Sequence, residues 1–345
     1  MNSPFTGGEV QIKKETRKLN YRKEAFDVQY QFYVCKDTGE QFTDEDMDTA
    51  NINQVYNQYR VKYGIPFPDE IKSTREQYGI SASKMAEILG LGTNVYRNYE
   101  AGEVPSVSNG RLIQLAKQPE EFKRLLELSE NELTPEEVQK INKKIKQVIS
   151  YQESIENFEN YIMLGPSKPS MDNGYRVPNL QKVNNMVLYF SKKLKPYKTK
   201  LNKLLFYTDF FHFKRTGFSV SGLTYKAIQM GPVPRNYDLL FDDCVKKNFV
   251  TIRYHNYGEF VGEQYNASEN AVFEKELFDE TELNAMKAIA NYFKNDSIKQ
   301  IVKKSHEENG WIDNIQEYDI ISYEYGFDLK YPITEDVSLT HCAKN

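Results

Sequence analysis

Cysteine is scarce in this chain. Three residues in 345, Cys35, Cys244 and Cys342, lie too far apart to form a disulfide framework, and their odd number fits a reducing compartment. Long apolar runs are missing: none approaches the roughly 20 residues that a membrane-spanning helix needs. The start, Met1-Asn2-Ser3-Pro4-Phe5, has no basic stretch followed by an apolar one, so no secretion signal is expected. Excess positive charge is also missing. A formal net charge of -4 argues against indiscriminate nucleic-acid binding, so a DNA-binding role would need a local surface. Neither a glycine-rich phosphate loop nor a zinc-protease motif occurs. Internal repeats and low-complexity tracts are absent too. These absences leave a soluble cytoplasmic protein as the expectation, with no membrane partner.

What is present supports two or three globular domains. The chain is 39% hydrophobic and 27% charged, enough for cores of ordinary size. Its mean hydropathy is -0.68. The 25 Tyr and 20 Phe fall heavily in the C-terminal half, where they either fill a core or line a protein interface.

Residues 1–66 read as a small β-rich domain. It holds a half-buried strand at Val28-Gln29-Tyr30-Gln31-Phe32-Tyr33-Val34 and a helix from about Asp44 to Tyr63. Residues 67–130 switch to short helices with clear punctuation. Pro68 opens the first, Ser81 caps the second, Thr93 caps the third, Pro105 precedes the fourth and Pro119 starts a short fifth. Thr134-Pro135-Glu136-Glu137 begins a long amphipathic helix, 131–164, with Val138, Ile141, Ile145, Val148, Ile155, Phe158 and Ile162 at helical steps. That stripe suits either pairing with its copy in a homodimer or packing on its own domain. A linker is expected at 165–177, a second globular unit at 178–335 and a frayed tail at 336–345. Within that unit Gly231-Pro232-Val233-Pro234 reads as a tight turn, while Phe249–Tyr254 and Phe260–Tyr265 suit a two-stranded wing.

The second and third short helices have the form of a helix-turn-helix, whose second helix presents polar side chains to base edges in the major groove. In Thr93-Asn94-Val95-Tyr96-Arg97-Asn98-Tyr99, the two tyrosines share one face, assigned to the core. Asn94, Val95, Arg97 and Asn98 then face outward. Asn can pair with adenine, Arg with guanine, and Val95 can meet a thymine methyl. Thr93 and the helix start suit a phosphate. Ser83 and Lys84, on the preceding helix, complete the expected DNA contacts. Residues 67–130 hold eight basic and ten acidic residues, so phosphate attraction is weak unless the basic ones share a face. Lys13, Lys14, Arg17, Lys18, Arg22 and Lys23 could add a positive surface, although a charge run is usually a solvated face.

The series Ile80-Ser81, Met85-Ala86, Ile88-Leu89-Gly90 and Tyr99-Glu100-Ala101-Gly102 resembles the Xre-type helix-turn-helix of the MqsA antitoxin family. That family begins with a zinc-binding domain, and Ser3-Pro4-Phe5-Thr6-Gly7-Gly8 and Cys35-Lys36-Asp37-Thr38-Gly39 are similar to its two Cys-x-x-Cys segments. At the four ligand positions, Ser3, Thr6, Cys35 and Thr38, only Cys35 is a soft ligand. The resemblance therefore implies a kept fold without metal, with Cys35 as a small buried hydrophobe. Asn98 stands where the family usually has Arg, and Ala82 stands where many Xre domains have Gln.

Residues from about 183 to 325 resemble the SocA-like Panacea domain. The matching features are Leu201-Asn202-Lys203-Leu204-Leu205-Phe206-Tyr207-Thr208-Asp209, Gly231-Pro232-Val233-Pro234, and Ser305-His306-Glu307 with Trp311. The resemblance implies toxin-binding or fold-defining roles for Lys203, Tyr207, Asp209, Gly231, Pro232, Val233, His306 and Trp311.

The expected fold class is α+β, mainly α: a degenerate zinc-finger-like β domain, a helical bundle, a linker helix and a mainly helical Panacea domain with a small β wing. The expected function is an antitoxin that binds a cognate protein toxin, represses its operon through operator DNA and needs no cofactor. The alternative is a regulator whose C-terminal domain senses another protein or ligand. An enzyme-like protein is a third reading: Asp209 and His212, one helical turn apart, could meet, but no nucleophile or metal motif accompanies them.

Overall fold

The computed structural model describes residues 2–129, 131, 133–165, 168–258 and 261–334. The expected tail with Cys342, Pro166 and Ser167 of the expected linker, and Phe260 of the expected wing lie outside them. The fold is α+β and mainly helical, in two compact units, Met1–Ile162 and Met163–Asn345.

The first unit opens with a hairpin of two long strands, β1 (Val10–Tyr21) and β2 (Glu24–Cys35). A short third strand, β3 (Gln41–Phe42), pairs with the end of β2. The hairpin turn is Arg22-Lys23, with φ of 46° and 71°. A two-residue turn with both residues left-handed normally takes Asn-Gly, and other side chains there cost about 1 kcal/mol each. Arg22 is held in place from outside: its guanidinium donates to the carbonyls of Val104 (2.8 Å) and Pro105 (2.9 Å).

Helix α1 (Glu45–Tyr63) starts at Asp44, whose side chain accepts from the amide of Met47, and ends at Gly64 with φ 62°. It closes the open edge of β2. Asn51 Oδ1 accepts from the amide of Gln31 (2.9 Å), and Asn51 Nδ2 donates to its carbonyl (2.8 Å). Gln54 makes the same pair with Gln29, at 2.9 and 3.1 Å, and Gln58 donates to the carbonyl of Asp27 (2.7 Å). Three or four residues of helix rise about 4.5–6 Å, near the roughly 6.6 Å of two strand residues, so the amides stay in step with the strand.

Seven further helices follow: α2 (Pro68–Glu76), α3 (Ala82–Ile88), α4 (Val95–Glu100), α5 (Val107–Ala116), α6 (Pro119–Leu128), α7 (Pro135–Gln152) and α8 (Ile155–Leu164). Ile71, Met85, Ala86, Ile113, Phe122 and Leu126 form their core, and Ile141 and Ile145 of α7 join it. The single long helix expected over 131–164 is two helices. Ser154 breaks it because its hydroxyl accepts from the amide of Asn157 and so caps a new start.

In the second unit, α9 (Leu180–Leu194) is followed by α10 (Lys198–Thr216), which is buried from Lys200 to Phe213. Around α10 lie β4 (Tyr225–Ile228), β5 (Gly231–Pro234), α11 (Tyr237–Lys246), β6 (Val250–Asn256), β7 (Val261–Ala267), α12 (Glu280–Phe293), α13 (Ile298–Glu307), α14 (Asn309–Ile312) and β8 (Ile320–Ile321). One sheet has the order β5-β4-β8, and β6 and β7 form the wing. Gly231-Pro232-Val233-Pro234, expected as a turn, is instead the strand β5, with Lys226 opposite Val233. Its prolines are tolerated because β5 lies at the sheet edge.

Closure of the β2 edge by side chains makes a stability prediction. Asn51→Ala strands both main-chain groups of Gln31 and is expected to destabilise the chain by about 2–4 kcal/mol in urea unfolding. Gln58→Ala, at the exposed end, should cost under about 1 kcal/mol. Equal small losses would show that α1 does not close the sheet.

Candidate nucleic-acid interface and C-terminal domain

The outward strip of α4 is built from its buried side. Tyr96 and Tyr99 are buried; Tyr96 donates to the carbonyl of Ile71 (2.7 Å), and Tyr99 accepts from Asn109 Nδ2 (2.8 Å). A fork adds rigidity: Arg75 on α2 bonds both carboxylate oxygens of Glu100, at 2.6 and 3.3 Å, and also the carbonyl of Ile80 (3.0 Å). The pair holds the arginine ionised, since the carboxylate raises its pKa further. With that face fixed, Thr93, Asn94, Arg97 and Asn98 are exposed and Val95 is half-buried. The helix begins one residue later than expected, with Asn94 at the cap position and its side chain not spent on capping. On α3, Ser81 caps the helix through the amide of Lys84, and Ser83 is half-buried. Lys84 is engaged by Glu87 (2.7 Å) and Glu137 (3.1 Å), so it would have to exchange these partners for a phosphate.

In the C-terminal unit the expected site residues are mostly internal. Lys203, Tyr207, Asp209, Gly231, Pro232 and Val233 are all buried. Asp209 accepts from the amides of Val220 and Ser221 (2.8 Å each), from the Ser221 hydroxyl and from Tyr225 (2.7 Å). Burial pushes its pKa up, and these four donors oppose that rise. It does not meet His212. That ring turns instead to the Phe218 carbonyl (2.7 Å) and Thr281 (2.9 Å), because the two side chains leave α10 toward different neighbours. Tyr207 donates to Glu308 (3.1 Å), whose other oxygen takes the amide of Lys330 (3.0 Å).

Among the described residues no carboxylate lies within hydrogen-bond reach of Lys203. Its ammonium donates to the Pro232 carbonyl (3.0 Å), and burial lowers its pKa to about 7. Gly231 makes room for it: at φ 92°, a Cβ there would stand 2.4 Å from Ser305 Oγ and 2.7 Å from Lys203 Cε. His306 stacks on Trp311 with 4.0 Å between ring centroids, and Trp311 donates to the Ile228 carbonyl (2.8 Å). Burial and the charge of Lys203 lower the pKa of His306. These last two are half-buried, so of the expected residues they reach furthest toward solvent.

Two family models match the chain. The helix-turn-helix model covers residues 71–119, and the model described as antitoxin SocA-like, Panacea domain, covers residues 201–312. The chain contains a helix-turn-helix at 71–119 and a SocA-like Panacea domain at 201–312. No curated protein and no solved structure matches it. Both matched models describe regulatory domains, one antitoxin-like and one a helix-turn-helix. Among the described residues no helix is long and apolar enough to cross a membrane.

Ahead of the helix-turn-helix, the four degenerate positions form two matching turns. Gly7 donates to the carbonyl of Ser3 (2.9 Å) and Gly39 to that of Cys35 (2.8 Å), and both glycines are left-handed. Thr6 Oγ1 lies 3.5 Å from Cys35 Sγ and donates to Asp37 (2.6 Å). Three hydroxyls around one thiol do not fit a structural zinc ion, which takes thiolate or imidazole ligands. Cys35 is buried, as expected for a small hydrophobe, yet its surroundings are polar. The hydroxyls of Ser3, Thr38 and Thr6 draw its pKa down to about 6. The Arg75–Glu100 fork and the Arg22 anchor escaped the sequence reading, because neither pair is close in sequence or part of a helical i, i+4 pattern.

The Panacea-domain lysine makes a pH prediction. An unfolded lysine keeps its proton to about pH 10.4. Between pH 7 and 10 the folded chain therefore binds fewer protons than the unfolded one, and stability rises with pH across that window. Lys203→Met should raise the thermal midpoint most at pH 7, and the gain should shrink toward pH 10. A gain independent of pH would show that burial does not lower the pKa of Lys203.

Proposed function

We propose that this chain is the antitoxin of a toxin–antitoxin pair. Its Panacea domain binds a cognate protein toxin one to one and neutralises it by contact, and its helix-turn-helix represses the shared operon. A homodimer would set two α4 helices one DNA turn apart on a palindrome. The observation that carries the DNA half is the exposed strip Thr93, Asn94, Arg97 and Asn98 on a helix clamped by Arg75 and Glu100. Val95 supplies an apolar contact, and Ser83 and Lys84 flank the strip. The toxin half rests on the Panacea match. Six of the eight residues that carry the resemblance, Lys203, Tyr207, Asp209, Gly231, Pro232 and Val233, are buried and support the domain's shape. The toxin would then be met by exposed side chains, such as Tyr254, Tyr257 and Val261 on the wing.

Division of labour between the units gives the test. The double variant Asn94→Ala/Arg97→Ala should lose sequence-specific binding to DNA from upstream of the gene, by about 10-fold or more per lost base contact. It should still rescue growth of cells expressing the neighbouring small gene. Equal loss of both functions would refute the division. A harmless neighbouring gene would favour instead a regulator that senses another protein or ligand.

A further inference from the structure

The helix-turn-helix segment carries more acid than base, so it lacks the charge that holds a protein on phosphates. The hairpin beside it is the opposite. Between Val10 and Cys35 stand six basic residues, Lys13, Lys14, Arg17, Lys18, Arg22 and Lys23, and three acids, Glu15, Glu24 and Asp27. Two of the acids are already paired, Glu15 with Arg17 and Glu24 with Lys62, and Glu24 also accepts from the Tyr63 hydroxyl. Lys13, Lys14, Lys18 and Lys23 are exposed.

We propose that the β1 side of this hairpin is a second DNA contact, a basic wing that grips the phosphate backbone beside the site read by α4. The inference rests on the DNA-binding reading above and adds a surface to it.

Three observations carry it. First, the hairpin is fixed relative to α4. Arg22 is bonded to Val104 and Pro105, just beyond the end of α4, and Arg60 of α1 donates to the carbonyl of Gly102 (2.7 Å). Val104 also shares a core with Phe26, Val28, Val55 and Tyr59. Second, the turn keeps Arg-Lys at two left-handed positions where Asn-Gly would be easier. Arg22 serves as the anchor, which leaves Lys23 displayed at the tip.

Third, β1 is an edge strand whose outer side no strand covers among the described residues. Its alternation puts Lys14, Thr16, Lys18 and Asn20 on one face. The acidic groove lined by Leu19, Tyr30, Asp44, Glu45 and Asp48 lies toward the other face. A second copy is a poor occupant for this edge. Antiparallel self-pairing centred on Glu15 and Thr16 would set Lys14 against Arg17 and Lys13 against Lys18. A polyanion suits it.

The test uses the full chain and two duplexes of equal length, the promoter region upstream of the gene and a mixed sequence, with binding followed by anisotropy from 50 to 300 mM salt. Lys14→Ala/Lys18→Ala/Lys23→Gly should weaken binding to both duplexes by a similar factor, roughly 10- to 100-fold at 0.1 M salt. It should also flatten the log–log salt slope by about two to three. The thermal midpoint should hold or rise, since glycine relieves the turn at position 23. Replacing the same three lysines by arginine should preserve both affinity and slope. An unchanged slope in the alanine–glycine variant would overturn the wing. A parent chain that shows no preference for the promoter would refute base reading by α4 while leaving the wing to be judged on the mixed duplex. A parent that binds neither duplex would overturn both.

Discussion

A buried amide or carbonyl that finds no neighbouring strand or helical turn must be satisfied by a side chain, and both units of this chain meet that demand with long polar or charged residues. Asn51, Gln54 and Gln58 stand in for a missing strand along β2. Arg22 and Arg60 take the carbonyls of the loop after α4. In the Panacea unit Asp209 collects the amides of Val220 and Ser221, Lys203 donates to Pro232, and Lys200 donates to Phe293 and Asp296. Leaving any one of these groups bare would cost about 1–3 kcal/mol. The irregular segments of the fold therefore depend on them.

That constraint also shapes function. Helix α4, with six residues, is too short to hold itself, so its orientation comes from Tyr96, Tyr99 and the Arg75–Glu100 fork. The clamp spends polar groups on the inner face and leaves Asn94, Arg97 and Asn98 unspent on the outer one. In the Panacea unit almost all the distinctive polar residues are consumed internally. Aromatic packing completes its interior: Phe210 stacks on Tyr323 at 4.4 Å, with Phe206, Phe213 and Tyr225 around them. About half of the abundant Tyr and Phe is thus explained by core.

Local chemistry made much of the fold legible. Ser81, Ser106, Thr134, Asp279 and Ser297 cap helices through their own side chains, and the α4 tyrosines fall on one face at helical spacing. Such signals act within a few residues, which is why helix positions and the helix-turn-helix could be read directly. The β1–β2 turn was not legible, because Arg22 and Lys23 are poor left-handed residues held there by a carbonyl pair some eighty positions away. Gly231–Pro234 looked like a turn for a similar reason. Two prolines suggest a bend until an edge position in a sheet makes their missing donors harmless.

The sequence by itself determined most of the helices, the polar strip of α4 and the presence of the two matched domains, since each depends on residues near one another in the chain. Only the tertiary structure decided the fate of the charged residues. Asp209 and His212 are one turn apart yet serve different neighbours, and Lys203 lies against a proline carbonyl rather than an acid. The hairpin lysines sit on an arm anchored to the loop after α4. A charge reveals its role through its partner, and in this fold those partners are brought close by packing between segments far apart in the sequence.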